Sequence, residues 1–330
     1  MNYRTRILGT GMGLPKGVMK NSDFESFLET SDEWIKTRTG IKTRHIANPE
    51  LGESTLSLCI LAAKQALEKS GVKGSELDLI IVGTVTPESV MPTTANSLQA
   101  ALGASKAFTF DMQAACSGFV YALSIADLYI RSGKVKKALI VGAETLSTLV
   151  NWKDRSTAVL FADGAGATVL ERTEDEDHCV IDTELHSDGS FSNILNIPHG
   201  YAKVPPHSGR YRHDEHTIHM QGSEVFKIAC RNMVEVTHSI LEKNNMKKEE
   251  IDFCIFHQAN LRIIDMCLKS LGMGRDKTWI NVDKYGNTSA ATLPICLHEA
   301  WEAGAVKPGD NILMATFGGG VTWGSALLRL

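Results

Sequence analysis

Two stretches of this chain carry the same hydrophobic pattern. LEKSGVKGSELDLIIVGT (67–84) and LEKNNMKKEEIDFCIFHQ (241–258) align without a gap at an offset of 174, sharing Leu-Glu-Lys at the start and an aspartate before the apolar run. Each predicts the end of an amphipathic helix, a polar turn and a buried strand. Upstream of the first, Leu56, Ile60, Ala63 and Leu67 recur at helical spacing; Val225, Ala229, Met233 and Ile240 do so more loosely before the second.

A further pair extends the match. ACSGFVYALSIADLYIRSGKVK (115–136) lies over GNTSAATLPICLHEAWEAGAVK (286–307) at an offset of 171, and both run into apolar strands, 138–143 and 311–317. Chance similarity between two βα units is the competing explanation. A unit of about 170 residues used twice would fill the chain. Alternating helices and strands then predict an α/β protein with a mostly parallel core in two similar halves, 1–174 and 175–330.

Composition narrows the class. The 330 residues are 43% hydrophobic and 22% charged with net charge −4, enough for one large two-part domain or two domains. No apolar run is long enough to span a membrane, and the N-terminus lacks a signal-type apolar segment. Mild acidity argues against a nucleic-acid partner. Seven cysteines at irregular spacing, with no CxxC pair, read as reduced thiols in a cytoplasmic protein.

One cysteine stands apart. Cys116 lies in QAACSGFVYAL between small residues, where an apolar helix begins. A helix N-terminus favours a thiolate, the attacking form of cysteine, and small neighbours leave room for an acyl group. Under the repeat, Cys116 aligns with Asn287 and Gly83 with His257, so a cysteine, a histidine and an asparagine converge from strand and helix ends. Such a set suits nucleophilic catalysis. Taken singly, Cys116 could be a core thiol, His257 a structural histidine and Asn287 a helix cap. The glycines of ATFGGGVTWGSALL could expose N–H groups to a ligand or serve loop packing. GTGMG at 9–13 is a poor dinucleotide loop, because Pro15 follows where a phosphate-binding helix should start.

TSDEWIKTRTGIKTRHIA (30–47), QAACSGFVYAL (113–123), HQANLRII (257–264), GNTSAA (286–291) and FGGGVTWGSALLRL (317–330) together resemble β-ketoacyl-acyl carrier protein synthase III, in that family's order and over nearly the whole chain. The resemblance implies a thiolase-like fold, five layers αβαβα made of two similar halves. It implies a condensing enzyme that needs no cofactor or metal, with acyl-CoA and acyl carrier protein as partners and a homodimer as the working form. Cys116 would carry the acyl group, His257 and Asn287 would stabilise the enolate left by malonyl decarboxylation, and the N–H groups of Cys116 and Gly319 would form the oxyanion hole. Elongating ketosynthases are longer and use two histidines where Asn287 stands; plant-type polyketide synthases share Cys-His-Asn but not DEWIKTRTGI or this short length, so the chain looks like the initiating class.

By the same similarity, Trp34, Arg38 and Arg155 would meet the adenine and phosphates of CoA, and Gly222 and Asn260 would line the pantetheine tunnel. Lys227, Arg231, Arg262 and Lys269 would supply positive charge for the acidic carrier. Met91 occupies the position of an acyl-pocket gate donated across the dimer. The segment 196–220 holds histidines at 199, 207, 213, 216 and 219 and is expected to be a polar loop over the tunnel mouth; metal binding by His213, His216 and His219 is the weaker reading. Against condensation stand acyl transfer to oxygen or nitrogen, a specialised primer role in secondary metabolism, a thiol redox protein without a resolving cysteine, and a non-catalytic carrier-binding protein.

Overall fold

The structure, a computed structural model, describes residues 3–330. A five-stranded sheet runs in the order Arg4–Gly13, Asp163–Thr173, Lys137–Thr145, Leu79–Gly83, Phe108–Met112. A four-stranded sheet runs Phe253–Phe256, Asn311–Gly318, Thr322–Arg329, Cys179–Ser187. Both sheets are mixed, where a mostly parallel core was expected. The parallel pairs are Leu79–Gly83 with Lys137–Thr145 and with Phe108–Met112, and Phe253–Phe256 with Asn311–Gly318; the other pairs in these two sheets are antiparallel. The reason is local: Gly318 and Thr322 pair across a short connection, which permits only an antiparallel return.

The helices Gly118–Arg131 and Thr292–Glu302 lie between the sheets. Thr55–Ser70 covers the outer face of the first sheet; Gly222–Lys243 and Leu261–Leu271 cover the second. This is the five-layered αβαβα order. On the first outer helix the buried stripe is Leu58, Cys59, Ala62, Ala63, Ala66 and Leu67, so Leu56 and Ile60 sit at its edge rather than in it. The GTGMG stretch lies on the first strand, where a Cβ at Gly9 would come 2.8 Å from the Ala66 carbonyl. These glycines admit the helix and bind no phosphate loop.

The structure also corrects the repeat. Leu79 faces Ala138 and Phe253 faces Ile312, an equivalence at offset 174 throughout. Each inner helix starts from a 3₁₀ turn, Ala115–Ser117 or Ser289–Ala291, whose first residue has φ of 46° or 51°. Cys116 is therefore equivalent to Ala290, and Asn287 to Gln113. A slip of three residues stays close to one helical turn, so the apolar pattern cannot distinguish it from the true register. The two helix starts cross at small residues: a Cβ on Gly118 would lie 3.2 Å from that of Ala290. That close crossing brings the two halves together at Cys116.

Candidate active site

The turn carrying Cys116 is tied down from the second sheet. Thr316 Oγ1 donates to the Cys116 carbonyl and Thr322 Oγ1 to that of Ala114, both at 2.8 Å. Gly318 packs so tightly that a Cβ there would lie 2.7 Å from the Cys116 nitrogen. The thiol is 7% exposed and stands at the junction of two cavities, of about 590 and 460 Å³. Burial pushes it up to about 12, the Glu144 carboxylate adds to this, and only the Ser289 hydroxyl opposes among its side-chain neighbours. Desolvation thus works against the thiolate that the helix start favours.

His257 and Asn287 line the larger cavity with Cys116. The His257 ring is buried and its pKa is pushed down to about 3 by desolvation, so the imidazole is neutral. Its Nδ1 lies 2.7 Å from Thr292 Oγ1, which is also 3.0 Å from the Ser289 carbonyl. The single Thr292 hydroxyl hydrogen selects the tautomer. Given to Ser289 it leaves Nδ1 protonated; given to Nδ1 it leaves an N–H on Nε2. Asn287 Oδ1 accepts the Ser289 N–H at 2.8 Å, which leaves the amide NH₂ group as the free end of the side chain.

The larger cavity is also lined by Trp34, Arg38, Arg155, Gly222 and Asn260. The Arg155 and Arg38 guanidinium carbons lie 4.6 and 5.0 Å from the Trp34 ring centroid. Asn260 holds the Arg38 carbonyl and caps the Leu261–Leu271 helix. Lys227 and Arg262 stand at the same cavity, whereas Arg231 and Lys269 are exposed outside its lining. Gly319 lines the smaller cavity with Cys116. Met91 is 87% exposed and lines neither cavity of its own chain.

The histidine-rich segment covers the smaller cavity, through Asn196, Ile197, Tyr201, His216 and Ile218; only its Met220 reaches the larger one. The expected cover over the tunnel mouth is therefore misplaced. The His216 ring contacts the His199 carbonyl at 2.8 Å, and His199 pairs with Glu215 at 2.7 Å, so these rings brace the loop. The His213 side chain falls outside the described residues. Among the described residues no group of three His, Cys, Asp or Glu side chains is placed to hold a metal, and no helix is long and apolar enough to cross a membrane. Ser289, Thr292 and Glu144 are the site residues that sequence reasoning missed. Only Glu144 had a signal, as a charge inside the apolar strand ALIVGAET.

Two fused α/β halves that meet at a buried cysteine between two cavities are the build of a thiolase-fold acyltransferase of the condensing class. Residues 110–189 match the family model of 3-oxoacyl-[acyl-carrier-protein] synthase III, and 241–330 match the model of its C-terminal part. A beta-ketoacyl-[acyl-carrier-protein] synthase III of Thioalkalivibrio sulfidiphilus is 48% identical over 329 residues, covering 100% of both chains. The crystal structure of the Aquifex aeolicus VF5 synthase III has a TM-score of 0.91 at 48% identity, over 99% of this chain and 100% of the other. The priming beta-ketosynthase of the R1128 polyketide pathway has a TM-score of 0.91 at 32% identity, over 99% and 96%. The chain belongs to the 3-oxoacyl-[acyl-carrier-protein] synthase III family.

Proposed function

We propose that the protein condenses an acyl-CoA primer with malonyl-acyl carrier protein, releasing CoA and CO₂ and forming 3-oxoacyl-acyl carrier protein. The observation that carries this reading is the position of Cys116 between two cavities, with His257 and Asn287 on the larger. The pantetheine arm enters the larger cavity past Trp34, Arg38 and Arg155, along Gly222 and Asn260. The acyl chain, once on sulfur, occupies the smaller cavity among Leu146, Leu149, Ile197 and Ile218. CoA then gives way to the malonyl carrier. The Asn287 NH₂ and the Nε2–H form of His257, held through Thr292, donate to the malonyl thioester carbonyl as CO₂ leaves. The carbanion attacks the acyl carbonyl, whose developing oxyanion meets the N–H groups of Cys116 and Gly319. Expulsion of the Cys116 sulfur completes the carbon–carbon bond.

The pairing of a fixed amide with a neutral imidazole supports condensation over transfer to oxygen or nitrogen, since simple transfer forms no enolate. The likeness to the R1128 priming enzyme favours a second reading, in which the same chemistry feeds a specialised product. In either case we take the chain, built of the halves 1–174 and 175–330, to work as a homodimer in the cytoplasm, without cofactor or metal. Lys227 and Arg262, on the lining of the larger cavity, are the better placed of the four carrier-docking candidates; Arg231 and Lys269 would act from farther out. The test is a panel of acyl-CoAs with malonyl-carrier, following acyl-enzyme mass at Cys116 and CO₂ release. Acylation without malonyl-dependent CO₂ release would replace condensation by simple transfer.

Two substitutions examine substrate contacts. Arg155→Ala should raise KM for acyl-CoA by roughly fivefold, the equivalent of about 1 kcal/mol for a stacked guanidinium, and leave kcat nearly unchanged. Steady-state kinetics with saturating malonyl-carrier reads this directly, and an unchanged KM would remove Arg155 from the CoA site. Met91→Phe should shift the kcat/KM profile toward shorter primers if the partner's loop closes the smaller cavity. Superimposable profiles would remove Met91 as a gate.

A further inference from the structure

We propose that the smaller cavity is built for a primer whose chain ends in a hydroxyl group, held by His216. This rests on the acyl-Cys116 reading above and deepens it by naming the class of acyl group. The cavity walls are mostly apolar, through Leu146, Leu149, Phe161, Leu195, Ile197 and Ile218. Such walls hold a saturated chain but do not read its end; a few placed polar groups do that. The loop that covers the cavity sets one imidazole, His216, on the lining.

That ring is held in one orientation. Its Nδ1 lies 2.8 Å from the His199 carbonyl, and a carbonyl only accepts, so Nδ1 carries the hydrogen. The lone pair of the neutral ring is then on Nε2, which is an acceptor and nothing else. Gly200, at a φ of 104°, packs on the Nδ1–Cε1 edge, where a Cβ would lie 2.5 Å from either atom. The Tyr201 and Tyr211 rings flank the imidazole at centroid distances of 6.2 and 5.9 Å. The Nε2 edge is what remains for the cavity, and no group among the described residues donates to it. The loop itself is anchored: Ile218 N–H donates to the Leu149 carbonyl at 2.8 Å, and His199 pairs with Glu215.

The other polar side chains on this lining impose no such sense. Ser289 and Thr322 already give their hydroxyl hydrogens to Glu144 and to the Ala114 carbonyl. Gln113, Ser192 and Tyr201 are exposed, and the Asn196 amide both donates and accepts. His216 alone asks for a donor. A hydroxyl at the chain end donates to Nε2. A methyl end leaves that nitrogen facing carbon, and an ether sets a lone pair against a lone pair. A carboxylate end adds a charge that apolar walls do not solvate.

The test is loading of Cys116 from acyl-CoAs of increasing length, each offered with a methyl end, an ω-hydroxyl in place of that methyl, or an ω-methoxy group. Efficiency is read by intact-protein mass at a pH of about 8, above the ordinary histidine value of about 6.5, so that Nε2 keeps its lone pair. At the length that reaches His216, the hydroxy chain should load roughly tenfold more efficiently than either partner, the scale of one hydrogen bond to an otherwise unpaired acceptor. His216→Phe keeps a flat ring without nitrogen and should abolish that ratio, whereas Tyr201→Phe should retain it. Equal efficiencies for the three chain ends at every length overturn the proposal, and so does a ratio that survives in His216→Phe or vanishes in Tyr201→Phe. If His216→Phe does not fold, the wild-type comparison of hydroxy with methoxy chains still decides, since their equality at all lengths overturns the proposal. A protein that takes no acyl group from any of these donors overturns the condensing reading as well. Normal loading of methyl-ended chains without a hydroxyl preference overturns only the role of His216.

Discussion

Replacing Cys116 by alanine is expected to abolish acyl-enzyme formation and to lower condensation by roughly 10,000-fold or more, the scale of losing a nucleophile outright. The fold should persist, because the turn is held by backbone acceptors that alanine retains. Thr316 and Thr322 bond to the carbonyls of Cys116 and Ala114, not to the sulfur. Intact-protein mass after incubation with acyl-CoA should show no adduct. Because the larger cavity, His257 and Asn287 remain, the variant should keep slow malonyl decarboxylation uncoupled from carbon–carbon bond formation. An acyl adduct on the alanine variant would move the nucleophile elsewhere. The other described cysteines offer no equivalent, since neither cavity is lined by any of them.

Asn287→Asp should separate the two half-reactions. The aspartate retains an oxygen to accept the Ser289 N–H, so the turn is preserved. It loses the NH₂ donor and sets a negative charge where the enolate develops. Condensation should fall by roughly 100- to 1,000-fold, the range for loss of one donor to a developing oxyanion. Acyl loading should change only slightly, and acyl-enzyme should accumulate when malonyl-carrier is present. His257→Ala should behave in the same direction. Equal losses of loading and condensation would assign Asn287 to the structure of the turn rather than to the malonyl step.

Much of this site was legible in the chain because helix and strand periods and helix-start chemistry are local properties. The Cys116 turn, the strand that runs to Phe256 just before His257 and the GNTSAA turn all stand where the pattern predicted them. Their pairing was read through a repeat whose second offset was wrong by three residues. The error left Cys116 and Asn287 nominally equivalent, although in the structure the equivalent of Cys116 is Ala290. The three residues still meet, because the helix starts cross at Gly118 and Ala290.

Charge state was not legible. The same residues that mark a helix start also bury the sulfur, and its surroundings are set by distant segments, through Phe161 and Leu195 on the cavity walls and the Glu144 charge. Glu144 and Ser289 are far apart in sequence and bond only because two halves fold face to face. The histidine-rich segment shows the same division. Its polarity predicted a loop, but which cavity it covers was settled by Ile218 N–H bonding to the Leu149 carbonyl. By itself the sequence determined the order of elements, the doubled α/β unit and the residues able to do the chemistry, because periodicity and residue type are carried by neighbours. The tertiary structure alone decided the strand directions, the register of the halves and the burial of Cys116, because those depend on contacts that distant segments create.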